Sequence, residues 1–249
     1  MKNFCLPFAA SVFIFHAFAQ ADNEIQVYAA PTVGRGATMV ELHSNYTFDG
    51  PEGLSDPKSA RWTNETLEVT HGFGDNFEVG FYTFTAFSPD GSYQYLGNNI
   101  RPRYTFALQP VGLSISAEFG FFRPDSESGF DFQGELRPIV DKSFNNLYLA
   151  FNPNVAFEPG EDKMEVHLTP QLKAVYTIAQ VIGLGIEYYT DLGTFARLEP
   201  GRQQEHLLGP MFDLFASPNW ELNTGLLFGL TPGSNQTIFK ILVGRRFGN

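Results

Sequence analysis

Hydrophobic and polar residues alternate with a period of two along most of the chain beyond its first 36 residues. In the stretch 164–178, one set of alternate positions reads Met, Val, Leu, Pro, Leu, Ala, Tyr and Ile, and the other reads Glu, His, Thr, Gln, Lys, Val and Thr. Because successive side chains of a β-strand point to opposite faces, this alternation predicts one long strand with an apolar and a polar face. Residues 111–122, 147–158 and 181–189 repeat the pattern.

About twelve segments carry this alternation. They lie near residues 37–48, 63–73, 76–88, 95–109, 111–123, 130–142, 146–158, 163–178, 181–192, 204–216, 219–230 and 236–247. Each is longer than ten residues, whereas strands of globular proteins are most often about five or six residues long and a transmembrane strand needs roughly nine to eleven. Strands can cross hydrocarbon only as a closed sheet, because an open edge leaves backbone amides unpaired. The sequence therefore predicts an all-β fold, a transmembrane antiparallel up-and-down β-barrel of about twelve strands.

The connections between these segments alternate between short turns and longer loops. The short turns lie near residues 74–75, 109–110, 143–145, 179–180 and 217–218. The other connections lie near residues 49–62, 88–94, 124–129, 159–162, 193–203 and 231–235. Outer-membrane barrels have short turns in the periplasm and longer loops outside, so this sorting supports the barrel and places both chain ends on the periplasmic side.

Aromatic residues are expected at both ends of the predicted strands. Those at the loop ends are Trp62, Phe87, Tyr93, Phe130 and Phe157. Those at the turn ends are Phe73, Phe77, Phe144, Phe215, Trp220 and Phe247. Two aromatic girdles around an aliphatic band are typical of the two bilayer interfaces.

The first 21 residues have the composition of a secretory signal peptide. Lys2 precedes an apolar stretch, and small residues recur in an A-x-A pattern. We expect cleavage near Ala19 or Ala21 and export to the outer membrane of a Gram-negative bacterium. The predicted organisation is a signal peptide at 1–21, a periplasmic N-terminal segment at 22–36 and the outer-membrane barrel at 37–249.

The acidic composition of the chain narrows the choice of partners. The 249 residues include 27 Asp and Glu against 16 Lys and Arg, a formal net charge of −11. This balance argues against nucleic acid, whose binding proteins present a basic face, and the single cysteine excludes a Cys-based metal cluster. We predict no cofactor and no metal. The expected partners are outer-membrane lipid, the barrel assembly machinery and small solutes, and the oligomeric state is left open.

The polar faces of the strands are expected to line the lumen, with the apolar faces toward lipid. On the ninth strand this places Leu184 toward lipid and Gly185 toward the lumen. The candidate lumen-lining residues are Glu41, His43, Glu68, Glu78, Arg101, Arg103, Glu118, Glu135, Arg137, Glu165, His167, Lys173, Glu187 and Lys240. Twelve strands lie between eight-stranded barrels, which side chains fill, and open channels of sixteen or more strands. A narrow pore and a plugged lumen both fit this count.

Acidic residues outnumber basic residues in the candidate lumen set. Charges that pair across strands would seal the interior, since an unpaired buried charge is costly. Surplus carboxylates in an open lumen would instead favour cations and uncharged solutes over anions. His43 and His167 are interpreted as polar fillers of the lumen, not as metal ligands.

The sequence lacks the residue patterns of a barrel enzyme. None of the five histidines has a serine two positions away, as a barrel phospholipase would need. Glu205 and His206 lie near Asp191 at the predicted extracellular rim, where ordinary surface polarity explains them better than a protease site does. No phosphate-loop, Gly-x-Ser-x-Gly or His-Glu-x-x-His motif occurs. We therefore predict no catalytic residues.

Several short motifs are distributed over nearly the whole mature chain. They are Glu24–Tyr28, Glu41–Thr47, Glu135–Pro138, Asn152–Pro153, Glu187–Gly193 and Gly229–Ser234. Together they resemble a family of uncharacterised proteobacterial outer-membrane β-barrels akin to the barrel transporters of meta-pathway phenol degradation. The resemblance implies a twelve-stranded barrel that passes small solutes, with hydrophobic or aromatic molecules as candidates. The chain departs from such barrels at its end, where Gly248 and Asn249 follow the aromatic Phe247.

Three functions compete at this point. The first is a channel or transporter for small solutes, and the second is a sealed structural or adhesive barrel without transport. The third is a barrel enzyme, which the missing motifs disfavour. Ion conductance would separate the first two.

Overall fold

Each long alternating segment of the sequence forms one strand of an antiparallel sheet that closes on itself. The structure is a computed structural model that describes residues 23–51, 60–123, 131–160, 163–178, 180–217 and 219–248. Within these ranges, twelve long strands pair in chain order and the last pairs with the first. The predicted antiparallel barrel is thus confirmed. The predicted signal peptide and Phe130 lie outside the described residues.

The twelve barrel strands are ten to fifteen residues long. In chain order they are β1 Thr38–Asp49, β2 Thr63–Gly72, β3 Phe77–Phe87, β4 Tyr93–Phe106, β5 Gly112–Phe122, β6 Asp131–Phe144, β7 Leu147–Pro159, β8 Met164–Ile178, β9 Ile182–Asp191, β10 Glu205–Ser217, β11 Trp220–Gly229 and β12 Thr237–Phe247. Between β9 and β10, the two-residue strands Gly193–Thr194 and Arg197–Leu198 pair with each other. No helix in the described ranges has both the length and the apolar character to span a bilayer.

Because the sequence alternates with a period of two, each strand has one set of side chains on the outer surface of the barrel and the other set on the inner surface. On β1, Leu42 is 48% exposed, whereas its neighbours Glu41 and His43 are only 7% and 1% exposed. On β9, Leu184 is exposed and Glu187 is buried in the same way. Apolar side chains therefore cover the outer surface and charged ones turn inward, as a bilayer requires of a closed sheet.

The barrel closes at β1, which pairs with both β2 and β12. Leu42 lies opposite Leu67 of β2 and opposite Val243 of β12. All three side chains are exposed on the outer surface. Since a shift of one residue would turn a strand's apolar side chains into the lumen, the hydrophobic pattern sets the register of this closure.

Short turns and longer loops alternate around the barrel, as the sequence predicts. One end, called here the turn end, has connections of two to five residues. The opposite loop end has connections of four to thirteen residues.

Aromatic side chains lie at both ends of the barrel. At the turn end, the exposed ones are Phe73, Phe77, Phe144, Phe215, Trp220 and Phe247. At the loop end, the exposed or partly exposed ones are Trp62, Phe87, Tyr93 and Phe157. The Arg245 guanidinium lies 4.9 Å from the Trp220 ring and 5.2 Å from the Phe247 ring at the turn end. Phe215 departs from the expected girdle, because it lies on the same face of β10 as the buried Asp213 and borders the interior cavity described below.

The segment that precedes β1 lies inside the barrel. The main-chain oxygen of Asn23 accepts hydrogen bonds from Asn45 (3.3 Å) and Thr66 (2.8 Å), which lie in the loop-side halves of β1 and β2. At the other end of the segment, the Gly36 amide donates to the Gly72 carbonyl at the turn end (2.7 Å). Residues 23–36, which belong to the segment 22–36 that the sequence assigns to the periplasm, run along the lumen in this structure.

An apolar patch on the inner wall explains why this N-terminal segment lies within the barrel. Ile25 and Val27 form one buried cluster with Leu207, Met211 and Leu227 of β10 and β11. Without the segment, these strand residues would line a wet lumen with apolar surface. A barrel of twelve strands encloses more volume than an eight-stranded one, which its own side chains fill. The segment takes up that space and buries both apolar surfaces, a change that the hydrophobic effect favours.

Candidate functional site

The interior of the barrel is the candidate functional site, and it holds nearly all the predicted lumen residues. Twelve of them are buried, namely Glu41, His43, Glu68, Glu78, Arg101, Arg103, Glu118, Glu135, Arg137, His167, Glu187 and Lys240. The Lys173 side chain is also largely enclosed, and it contacts the buried Glu187. Glu165 differs: its side chain is 44% exposed at the loop end, with a carboxylate oxygen 3.7 Å from the His167 ring.

Arg101 and Arg103 of β4 form a ladder with carboxylates of β2 and β3. Arg101 Nη2 lies 2.6 Å from a Glu68 oxygen, and its Nη1 lies 3.3 Å from a Glu78 oxygen. Arg103 lies 2.6 Å from the same Glu78 oxygen. Charge-assisted hydrogen bonds are strong, but a buried ion pair offsets its desolvation cost only when its geometry is good and its partners are complete. The ladder therefore depends on every member being present.

Arg137 of β6 organises a second group of charges. Its Nε donates to Glu135 (2.6 Å), and its Nη2 lies 3.3 Å from Glu118 of β5. Its Nη1 lies 4.0 Å from Glu24, which belongs to the N-terminal segment. The segment thus adds a carboxylate to a cluster that the strands build.

A third group of charges lies on the other side of the lumen. Lys173 of β8 lies 3.0 Å from Glu187 of β9 and 3.1 Å from Asp213 of β10. Lys240 of β12 lies 2.7 Å from the second Glu187 oxygen and 3.2 Å from the Tyr189 hydroxyl. Glu187 therefore joins two lysines that come from strands on either side of it.

Tyr28 of the N-terminal segment lies among the three arginines. Its ring centroid is 4.3 Å from Arg137 Cζ, 4.7 Å from Arg101 Cζ and 5.7 Å from Arg103 Cζ. A guanidinium within about 6 Å of a ring centroid is attracted to the ring face. The Tyr28 hydroxyl also contacts Tyr82 (3.0 Å). Tyr28 is thus the point at which the segment meets the arginine-rich wall.

Strand side chains also hold the main chain of the segment. The Ala30 amide donates to Asp141 (2.7 Å), and the Val33 amide donates to Glu78 (2.7 Å). Arg103 donates to the carbonyls of Ala29 (2.9 Å) and Pro31 (3.0 Å). Buried main-chain groups need such partners, so these bonds fix the path of the segment through the lumen.

A cavity of about 790 Å³ remains between the N-terminal segment and the inner wall, where β8–β12 contribute most of the lining and β1–β4, β6 and β7 contribute the rest. Ser217 and Trp220 border it at the turn end. Its charged lining residues are Glu41, Glu78, Arg101, Arg103, Lys173, Glu187, Asp213, Glu221 and Arg246. The cavity has the size of a small-molecule site, and both signs of charge face it.

Of the loop-end residues weighed for protease chemistry, Glu205 and Asp191 lie opposite each other on β10 and β9, but the His206 ring has other partners. Asp191 lies 3.3 Å from His167 Nδ1. The His206 ring instead contacts the Tyr188 hydroxyl (2.6 Å) and the Gln204 side chain (2.9 Å). The two histidines therefore have separate partners, and the described contacts contain no Asp191–His206 pair.

Sequence reasoning missed the contribution of the N-terminal segment to the site. Asp141 and Asn152 were detectable, since both share the inward parity of their strands. Glu24 and Tyr28 gave no such signal, because no alternating strand pattern includes them. The neighbours that bury them come from distant strands.

The comparisons with known proteins find similarity in structure but not in sequence. No family model matches the chain, and no curated protein matches it. The COG4313 outer membrane channel from Pseudomonas putida F1 is similar in fold, with a TM-score of 0.63, 12% identity, and coverage of 90% of this chain and 100% of that chain. The KdgM porin has a TM-score of 0.55 and 15% identity, and the match covers 84% of this chain and 99% of the porin. The NanC porin has a TM-score of 0.54 and 10% identity, and the match covers 84% of this chain and 100% of the porin.

By their titles, these structures are one outer membrane channel and two porins, and the shared fold extends over most of each chain. At identities of 10–15%, the likeness establishes the barrel fold and nothing finer.

Proposed function

We propose that this protein is an outer-membrane channel through which small solutes pass, controlled by its own N-terminal segment. The observation that carries the proposal is the cavity of about 790 Å³ inside a closed barrel whose outer surface is apolar. A sheet with this outer surface suits a bilayer, and an interior cavity lined by both charged and apolar side chains suits a small solute. The outer-membrane barrels of similar fold support the location.

Location in the outer membrane implies two further partners. The exposed leucine, phenylalanine and isoleucine side chains of the outer surface would contact lipid. The barrel assembly machinery would insert the exported chain, after removal of the predicted signal peptide.

The charges of the interior favour cations and uncharged solutes over anions. Five carboxylates and four basic side chains line the cavity. Charged side chains that line a pore set its selectivity, and their influence falls as salt screens it. The lining therefore supports weak cation preference.

In its more specific form, the proposal is that the solutes are hydrophobic or aromatic. The resemblance of several motifs to phenol-pathway barrel transporters supports it, as do the apolar residues Val175, Leu214 and Phe215 in the cavity lining. A small neutral aromatic molecule would contact this apolar part of the cavity and avoid the desolvation cost that a charged solute incurs.

Passage through the lumen requires the N-terminal segment to move, since residues 23–36 lie along it. The alternative function, a sealed barrel, corresponds to a segment that never leaves. Glu24, Tyr28 and Ala30 contact Arg137, Tyr82 and Asp141 of the strands in the present arrangement, which favours a closed resting state.

Currents across planar bilayers test the proposal directly. The purified mature protein should show discrete openings, with a reversal potential in a KCl gradient that indicates a preference for K⁺. Swelling of proteoliposomes in phenol, compared with an equally sized sugar, tests the more specific form. Absence of both currents and solute uptake, from protein shown to be inserted, would establish the sealed barrel. A clear anion preference would contradict the acidic interior as the selective element.

A further inference from the structure

Glu41, His43 and Glu68 form a compact group of potential metal ligands on the inner wall. Glu41 and Glu68 are directly opposite each other on β1 and β2, and His43 follows Glu41 on the same face. One ligand atom from each residue lies within 4.8 Å of the other two, and all three side chains are buried. We propose that these residues bind a divalent transition-metal ion such as Zn²⁺.

The imidazole of His43 is the observation that points to a ligand. The residue is 1% exposed, and neither ring nitrogen has a hydrogen-bond partner among the described residues. Buried polar atoms are nearly always hydrogen-bonded, so two such nitrogens in one ring call for an explanation. Nε2 is 3.6 Å from Glu68 Oε2, which is beyond hydrogen-bond distance. A metal ion between these atoms would satisfy Nε2.

The two oxygens of Glu68 have different partners. Oε1 accepts hydrogen bonds from Arg101 (2.6 Å) and Thr70 (2.5 Å). Oε2 faces His43, and the Tyr28 hydroxyl lies 3.3 Å from it. Arg101 and Thr70 therefore fix the orientation of the carboxylate, and Oε2, which accepts one hydrogen bond from Tyr28, keeps a second lone pair for coordination. Hydrogen bonds of this kind commonly orient metal ligands.

The charge balance around the group favours an added cation. The Tyr28 hydroxyl contacts both Glu24 and Glu68, and so joins the Arg137 group to the Arg101 group. Six carboxyl groups and three guanidinium groups belong to this network, namely Glu24, Glu41, Glu68, Glu78, Glu118, Glu135, Arg101, Arg103 and Arg137. Among the described side chains, no cation lies within ion-pair distance of Glu41. Because surplus buried negative charge is costly, an ion of charge 2+ would stabilise this wall.

An ion could reach the group from the cavity, since Glu41 lines it. One imidazole and two carboxylates are a suitable donor set for Zn²⁺ and related transition metals, with a fourth position for water. Ca²⁺ and Mg²⁺ prefer oxygen ligands alone. A tetrahedral ion about 2 Å from each ligand holds ligand atoms about 3.3 Å apart, so a short side-chain shift would complete the site.

Equilibrium binding to the whole mature protein tests this site, independently of any conduction. Chelator-treated barrel in detergent is titrated with Zn²⁺ by calorimetry and with Co²⁺ by visible absorption. We expect one equivalent of Zn²⁺ and a Co²⁺ spectrum typical of a protein site with a nitrogen ligand. H43Q and E41Q should each weaken binding by more than about 100-fold, since loss of an outer-shell partner alone costs about 10–100-fold.

H71Q is the matched control for H43Q. His71 lies on β2, and its Nδ1 is 2.8 Å from the Thr38 hydroxyl, away from the proposed group. H71Q should bind Zn²⁺ as the wild type does. Heat-modifiable gel mobility verifies that each variant is folded, and E41Q decides the test if H43Q fails to fold.

Three results would overturn the proposal. One is the absence of stoichiometric Zn²⁺ binding by the wild type, and another is unchanged binding by folded E41Q or H43Q. The third is a nitrogen NMR spectrum in which His43 stays a doubly protonated imidazolium after Zn²⁺ addition, because its charge would then be the counter-ion of Glu68.

Discussion

The side-chain amide of Asn152 binds the main chain of Tyr28 through both of its polar atoms. Its Oδ1 accepts a hydrogen bond from the Tyr28 amide (2.7 Å), and its Nδ2 donates to the Tyr28 carbonyl (3.1 Å). All four groups are buried, where an unmade hydrogen bond costs about 1–3 kcal/mol. Asn152 of β7 therefore fixes the position of Tyr28, at the middle of the N-terminal segment.

N152A should loosen the segment, because two buried main-chain groups of Tyr28 lose their partner. We expect a higher open probability in planar bilayers and a lower unfolding midpoint in urea. N154A is the control, since Asn154 is buried two residues along β7 and its side-chain amide has no hydrogen-bond partner in the described structure. Equal effects of the two substitutions would show that Asn152 does not anchor the segment.

L184R should reduce assembly of the barrel. Leu184 is exposed on the outer surface of β9, and an arginine on the lipid-facing side of a barrel is destabilising, by up to about 2–4 kcal/mol at the bilayer midplane. T177R is the comparison, because Thr177 lines the cavity on the neighbouring strand. The fraction of heat-modifiable protein in membranes should fall for L184R well below that for T177R. Similar fractions would mean that the faces are assigned wrongly.

Gly185 is the inward neighbour of Leu184 in the sequence, but it is unsuitable for this comparison. A Cβ atom at Gly185 would lie 2.3 Å from the Ala174 carbonyl oxygen and 2.7 Å from a Val175 methyl group. Any side chain there would displace β8, whichever face it lies on.

R103E should both destabilise the barrel and release the segment. The new carboxylate would face Glu78, which now lies 2.6 Å from Arg103, and the donors to Ala29 and Pro31 would be lost. Breaking a buried ion pair costs about 3–5 kcal/mol. R103K keeps the charge and should cost less. In a KCl gradient, R103E should shift the reversal potential toward stronger cation preference, and a shift toward anions would contradict the proposed selectivity.

E187Q should destabilise the protein more than K240M does. Glu187 lies 3.0 Å from Lys173 and 2.7 Å from Lys240. K240M leaves Glu187 with Lys173, whereas E187Q removes the carboxylate that Lys240 contacts and leaves a buried ammonium group. Urea unfolding of both single variants and of the double variant measures the coupling, which we expect to be non-additive by about 1 kcal/mol or more. Additive effects would mean that the pair contributes little.

The barrel could be predicted from the sequence because its causes are local. The alternation around Leu42 and Leu184 depends only on neighbouring residues, and the lengths of the strands and turns can be counted. The inward direction of Glu68 and Arg101 follows from the same parity. None of these features depends on which strands face each other across the lumen.

The contacts within the site could not be predicted, because they join residues that are distant in the sequence. Asn152 is 124 positions from Tyr28, and Asp141 is 111 positions from Ala30. Glu41 meets Glu68 only through the register that closes the thirteen-residue loop between β1 and β2. For the same reason His43 was interpreted as a filler of the lumen, since its carboxylate neighbours are set by pairing and not by spacing.

The path of the N-terminal segment also affects the seam of the barrel, where the first strand meets the last. Arg246 of β12 donates to the Val33 carbonyl, and the Gly36 amide donates to Gly72 of β2, so the segment is attached on both sides of β1. A force that peeled β1 away from β12 would also have to pull the segment past Arg103 and Asn152. The pairing of β1 with β12 is therefore reinforced by contacts inside the lumen. Under mechanical load, we expect rupture to begin at another pair of strands.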